Sequence, residues 1–134
     1  TDAGAIVTFT GLVRELYQGQ EGSGRIEQLF LEHYPGMTEA SLGKILDAAH
    51  QRWQLLDARI IHRVGALRPG DQIVYVGTAS AHRGEAFEAA RFIMDYLKTD
   101  APFWKKQTMG GQSHWVQRRD SDEQSLHRWQ QGKS

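Results

Sequence analysis

The chain has 134 residues, 16 basic and 16 acidic side chains, four tryptophans and no cysteine. A chain of this length buries a real core as one domain. Its balanced charge argues against a general nucleic-acid or membrane-surface binder, and the lack of cysteine excludes a disulfide, a thiolate nucleophile or a Cys-ligated metal within it. No apolar run reaches the roughly 18 residues that span a bilayer. No signal-peptide pattern opens the sequence, and the expectation is a cytoplasmic protein.

In chain order, residues 5–13 (A-I-V-T-F-T-G-L-V) are rich in β-branched and aromatic side chains and predict a buried strand closed by Arg14. Residues 18–24 (Q-G-Q-E-G-S-G) have loop composition. A second strand is expected over residues 26–34, ended by Pro35-Gly36. Thr38 is the predicted N-cap of a helix over residues 39–53, whose Leu42, Ile45, Leu46, Ala49 and Trp53 keep helical spacing. Strands over 58–64 and 72–80 flank Arg68-Pro69-Gly70-Asp71 and are expected to pair. A helix over 84–98 carries the stripe Ala86, Phe87, Ala90, Ile93, Met94 and Leu97. Pro102 predicts its end near Thr99. A short strand over 114–118 and a helix over 122–131 complete an α+β fold with mainly antiparallel sheet, read as one domain over residues 1–134.

The stretch with most chemical content is 97–106, L-K-T-D-A-P-F-W-K-K, which holds three of the five lysines. A lysine amine can be desolvated to act as a base or nucleophile, which an arginine cannot. Lys98 and Lys105 around a Pro-Phe-Trp turn therefore suggest chemistry on an anionic or carbonyl substrate; the alternative is a solvated helix end whose cations complement its dipole. His82-Arg83 sits where a strand meets a helix N-terminus, a place that attracts anions, and Arg14 is a third candidate anion ligand. Lys98 lies some 20 Å of helix from Arg83, so a symmetric dimer sharing one site across its interface would bring them together. The six histidines have no metal-ligand spacing, and no phosphate loop or G-x-S-x-G is present. No metal or cofactor is expected.

These residues lie within segments that closely resemble the large, catalytic subunit of molybdopterin synthase. The resemblance runs over nearly the whole chain: G-A-I-V-T-F-T-G at 4–11, L-E-H-Y-P-G-M at 31–37, H-R-V-G at 62–65, P-G-D at 69–71, S-A-H-R at 80–83, and F-I-M-D-Y-L-K-T-D-A-P-F-W-K-K at 92–106. It implies an α/β hammerhead-like fold with a small additional antiparallel subdomain, and a family N-terminal segment missing ahead of Gly4.

It also implies a reaction. Two sulfurs pass to cyclic pyranopterin monophosphate, precursor Z, to form the dithiolene of molybdopterin. Each arrives as a thiocarboxylate on the C-terminal glycine of a small ubiquitin-like partner, which agrees with the absence of cysteine. The expected assembly is a homodimer of large subunits with a small subunit at each end. The family's essential lysines correspond to Lys98 and Lys105, and one of them is a candidate for a transient covalent link to the partner's glycine or to the substrate. Substrate contacts correspond to Leu12, Val13, Arg14, His82, Arg83, Lys106 and Gln107, and Arg119 to an anion site reached across the dimer. Leu12 stands where relatives often carry lysine, and Gln107 where glutamate is common, so neither position is expected to need a charge. Two other readings of the same residues are a lysine-dependent enzyme acting on another small phosphorylated substrate, and a non-catalytic module that binds a ubiquitin-like tail.

Overall fold

The computed structural model describes residues 2–19, 22–100, 103–116 and 127–130. In chain order they form β1 (Ala5–Leu12), β2 (Leu16–Gly19), β3 (Gly22–Arg25), β4 (Gln28–His33), α1 (Met37–Arg52), β5 (Leu55–His62), β6 (Gly65–Leu67), β7 (Gln72–Ser80), α2 (Arg83–Asp100), β8 (Phe103–Met109) and β9 (Gln112–Trp115). Residues 127–130 make a helical turn. Every described strand pair is antiparallel, so the α+β expectation holds.

The strands form three sheets. β7 is the centre of the first, between β1 and β5. Its Val74, Val76, Thr78 and Ser80 are buried, and they share one face because side chains alternate along a strand. Ile45 and Ala49 of α1 and Ala90, Phe92, Ile93 and Leu97 of α2 join Val74 and Val76 in the main core. The opposite face of this sheet is open. Ile6 lies there at 72% exposure, with Ile61 also exposed, so β1 is a half-covered edge strand and not the buried strand expected from its composition. Nothing in the composition of β1 distinguishes a strand covered on one face from one covered on both.

The second sheet pairs β6, β4, β8 and β9 in that order. Leu29, Leu31 and Leu67 on its inner face pack with Val13 as a smaller core. Ile73, at the start of β7, touches both cores and marks the seam between them. β2 and β3 form a separate two-stranded ribbon over most of the segment expected to be a loop, because backbone pairing does not require apolar side chains.

Three further details differ from the sequence reading. Gly36, with φ of +86°, and not Thr38, caps α1; the Thr38 hydroxyl instead donates to the Tyr34 carbonyl at 2.9 Å. The Glu39 carboxylate accepts from the Gly36 N–H, and this bond together with its own backbone N–H holds it below its ordinary pKa. Phe87, assigned to the buried stripe of α2, is 61% exposed, while Ala86, Ala89, Ala90 and Ile93 form the buried face. Finally, residues 58–64 and 72–80 do pair, but β6 lies between them in sequence and joins the other sheet.

Candidate functional site

The Thr78 hydroxyl donates to the Ala86 carbonyl at 2.7 Å, which sets the offset between β7 and α2. Twelve residues further along α2 is Lys98, about 18 Å away. The same distance back along β7 is five to six residues, at about 3.3 Å each, and reaches Gln72 or Ile73. Lys98, exposed in the last turn of α2, therefore lies at the seam end of the first sheet.

Other predicted residues gather at that end. Leu12 pairs with Gln72 across a register shift, so β1 finishes there. The Val13 N–H donates to the Asp71 carbonyl and the Gly70 N–H to the Val13 carbonyl, both at 2.9 Å. This two-way bond pins Val13, which is buried, and leaves Arg14 exposed beside the turn before β7. β5 ends there as well, since His62 pairs with Val74. The His62 ring stacks on Phe103, the first residue of β8, with centroids 3.9 Å apart and planes 15° apart.

β8 sorts the remaining predicted residues by parity. Phe103, Lys105 and Gln107 pair with His33, Leu31 and Leu29, so all three share the inner face. Gln107 is 6% exposed, and its side-chain oxygen has no hydrogen-bond partner among the described residues, an acceptor that a ligand N–H could satisfy. Trp104 and Lys106 lie on the outer face, where the Lys106 ammonium sits 5.6 Å from the Trp115 ring centroid. Adjacent lysines thus point to opposite sides of one sheet. The expected Pro-Phe-Trp turn is a strand from Phe103 onward, and Trp104 is 53% exposed, so it does not dry the site. Alternation of apolar residues in the rest of β8 is too weak to have revealed the strand.

His82 and Arg83 are elsewhere. The Ser80 hydroxyl donates to the His82 carbonyl at 2.7 Å and accepts from the His82 N–H at 3.0 Å, closing a tight turn into α2. Ser80 pairs with Ala5 and Leu55, so this turn lies at the opposite end of the sheet. Eight strand steps from Gln72 amount to about 26 Å. Within one chain, His82 and Arg83 do not meet Arg14, Lys98 or Lys105. Arg119 lies outside the described residues.

One residue of this end was not singled out from the sequence. His62 is half-buried. Burial pushes its pKa down, the carbonyl of Arg63 partly opposes that, and the positive charge of Lys105 pushes it down further. Its Nδ1 lies 2.8 Å from the Arg63 carbonyl, and a carbonyl only accepts, so Nδ1 carries the proton. A hollow of about 220 Å³, lined by Ile6, Asp57, Arg59, Tyr75, Gly77, Thr78 and Ala79, opens on the bare face of the first sheet and includes none of the predicted residues. Among the described residues no group of three or more His, Cys, Asp or Glu side chains could hold a metal ion, and no helix is long and apolar enough to cross a membrane.

Residues 1–100 match the family model described as MoaE protein. The chain is 57% identical over 126 residues to the molybdopterin synthase catalytic subunit of Ralstonia nicotianae, covering 94% of this chain and 69% of that protein. Its structure is similar to molybdopterin cofactor biosynthesis protein E from Burkholderia multivorans, at 51% identity and a TM-score of 0.77, covering 96% of this chain and 80% of that one. It is also similar to molybdopterin synthase from Staphylococcus aureus, at 34% identity and a TM-score of 0.80, covering 87% and 82%.

Proposed function

The chain belongs to the MoaE protein family and is an enzyme of sulfur transfer in molybdenum cofactor biosynthesis; on that premise we propose which residues do the work and how subunits share it. The substrate is precursor Z, and the sulfur comes from the C-terminal thiocarboxylate of a small ubiquitin-like subunit. Lys98 and Lys105 stand at the reacting centre. They stabilise the negative charge that develops as the thiocarboxylate attacks and the cyclic phosphate opens, and they move protons to and from the reacting groups. Arg14 binds an anionic part of the substrate beside them, and the buried Gln107 oxygen accepts a hydrogen bond from the pterin.

His82 and Arg83 complete the site from a second copy of the chain. The observation that supports this is the length of β7, about 26 Å between the two groups of residues. A twofold axis across the strands places the Arg83 end of one subunit against the Lys98 end of the other. The bare face of the first sheet, with Ile6 and Ile61 exposed, provides apolar surface for that contact. The resulting assembly is a dimer of catalytic subunits with a small subunit at each end, working in the cytoplasm.

The direct experiment mixes the purified protein with precursor Z and the thiocarboxylated small subunit and assays for molybdopterin. Product formed only with the thiocarboxylated partner supports the assignment. Turnover of precursor Z with an unmodified partner, or no product at all from a folded protein, sinks it.

A further inference from the structure

His62 is a half-buried titratable group at the seam with no part in the reaction as proposed, and it touches the strand that carries Lys105. Its imidazole lies flat on Phe103 at 3.9 Å. Phe103 opens β8, and Lys105 follows two residues later on the same face. The tautomer is set by the Nδ1–H bond to the Arg63 carbonyl, and Arg63 is itself held to β7 by its N–H, which donates to the Ile73 carbonyl at 2.9 Å. A chain of contacts thus runs from the centre of the first sheet through the imidazole to the strand bearing the lysine. On the other side, Phe103 pairs with His33 of β4. The start of β8 is therefore tied to β4 by backbone pairing and to β5, in the other sheet, by the ring stack.

We propose that His62 is a positioning residue for Lys105: its imidazole clamps Phe103 and so fixes the start of β8, across the gap between the two sheets. The ring suits the task because it is flat enough to stack and can still satisfy a backbone carbonyl. An aliphatic side chain offers neither. Small displacements of a reacting group are costly, up to about a hundredfold in rate for an ångström. A clamp two residues from Lys105 thereby acts on turnover and not on the affinity for substrate.

This inference rests on the assignment of Lys105 above, so the test carries a control for it. His62→Ala, His62→Phe and Lys105→Ala are each assembled with the thiocarboxylated small subunit and assayed with precursor Z, with circular dichroism and thermal melting as checks of folding. His62→Ala is expected to lower kcat about tenfold and leave KM within about twofold. His62→Phe restores the stack and is expected to recover kcat to within about threefold of the parent. A purely structural role would be read as lost folded protein, with unchanged kcat per folded molecule. Wild-type kcat in His62→Ala overturns the inference, as does a His62→Phe protein as slow as His62→Ala. Should His62→Ala not fold, Phe103→Leu removes the other ring of the stack, and the same fall in kcat at constant KM is expected; unchanged kcat overturns the clamp. If Lys105→Ala turns over normally, it is the assignment of Lys105 that fails; if Lys105→Ala is dead while His62→Ala is normal, only the clamp fails.

Discussion

Gly4 lies so close to Ala81 that a Cβ on its backbone would collide with the Ala81 carbonyl oxygen. The contact is backbone against side chain, so no rotamer change relieves it. The Gly4 N–H also donates to the Ser80 carbonyl at 3.0 Å, which ties the start of β1 to the turn carrying His82 and Arg83. Gly4→Ala must move that turn, and the expected outcome is a raised KM for precursor Z with a small loss of melting temperature. Steady-state kinetics and a thermal melt check it; an unchanged KM would separate the turn from substrate binding.

Removing either lysine removes a charge or a proton carrier from the reacting centre. Lys98→Ala and Lys105→Ala are each expected to cut dithiolene formation by about a hundredfold or more, with fold and small-subunit binding retained. Lys98→Arg keeps only the cation. Its activity separates a need for charge from a need for a titrating amine, since arginine does not give up its proton.

If the site is shared between subunits, two dead variants can rescue each other. Arg83→Ala and Lys105→Ala fail at opposite ends of the first sheet. After mixing and reassembly about half of the dimers are hybrid, and each hybrid has one intact site of two, so about a quarter of parental activity should return. No recovery, with exchange of subunits confirmed by mass, would place the whole site in one chain. Ile6→Asp, on the bare sheet face, should give monomers in sedimentation and lose activity together with dimerisation.

His62 makes stability depend on pH in a definite direction. Burial and the nearby Lys105 charge hold its folded pKa below the 6.5 of an exposed histidine. The unfolded chain therefore takes up the proton first. Its contribution is fully present above pH 6.5 and is lost as the pH falls from there through the folded value. His62→Phe removes that share. Between about pH 7.5 and pH 5.5 its melting temperature should fall less than that of the parent, and an equal fall would show that His62 does not titrate across folding.

The described helical turn at 127–130 is held by aromatic packing. Trp129 meets Trp53 and Phe92 edge to face, at 5.6 and 5.4 Å, and its indole N–H donates to Asp95 at 2.7 Å. Arg52 lies over all three rings and donates to the Trp129 carbonyl. Trp129→Ala should cost roughly 3–5 kcal/mol in a urea titration, since it empties a packed site and strands the Asp95 carboxylate. A cost below about 1 kcal/mol would mean that the turn adds little to the fold.

Sequence by itself determined the elements whose signals are local. The stripes of α1 and α2, the β-branched run of β7 and the Pro-Gly-Asp turn before it are periodicity and turn chemistry, and the identity of the reactive side chains is covalent. What the tertiary structure decided is where those side chains face and which of them meet. Strand parity put Lys105 and Lys106 on opposite sides of β8, yet a two-residue period is invisible in F-W-K-K, where both faces carry aromatics and cations. Pairing with β7 left Ile6 bare, and no apolar pattern tells a covered face from an open one. The Thr78–Ala86 bond sent α2 back along β7, setting Lys98 at the same end of the sheet as Arg14 and His82 at the far end. His62 carried no signal of its own, because its importance lies in a contact with Phe103 forty-one residues away, and such a contact exists only once two sheets have closed on each other.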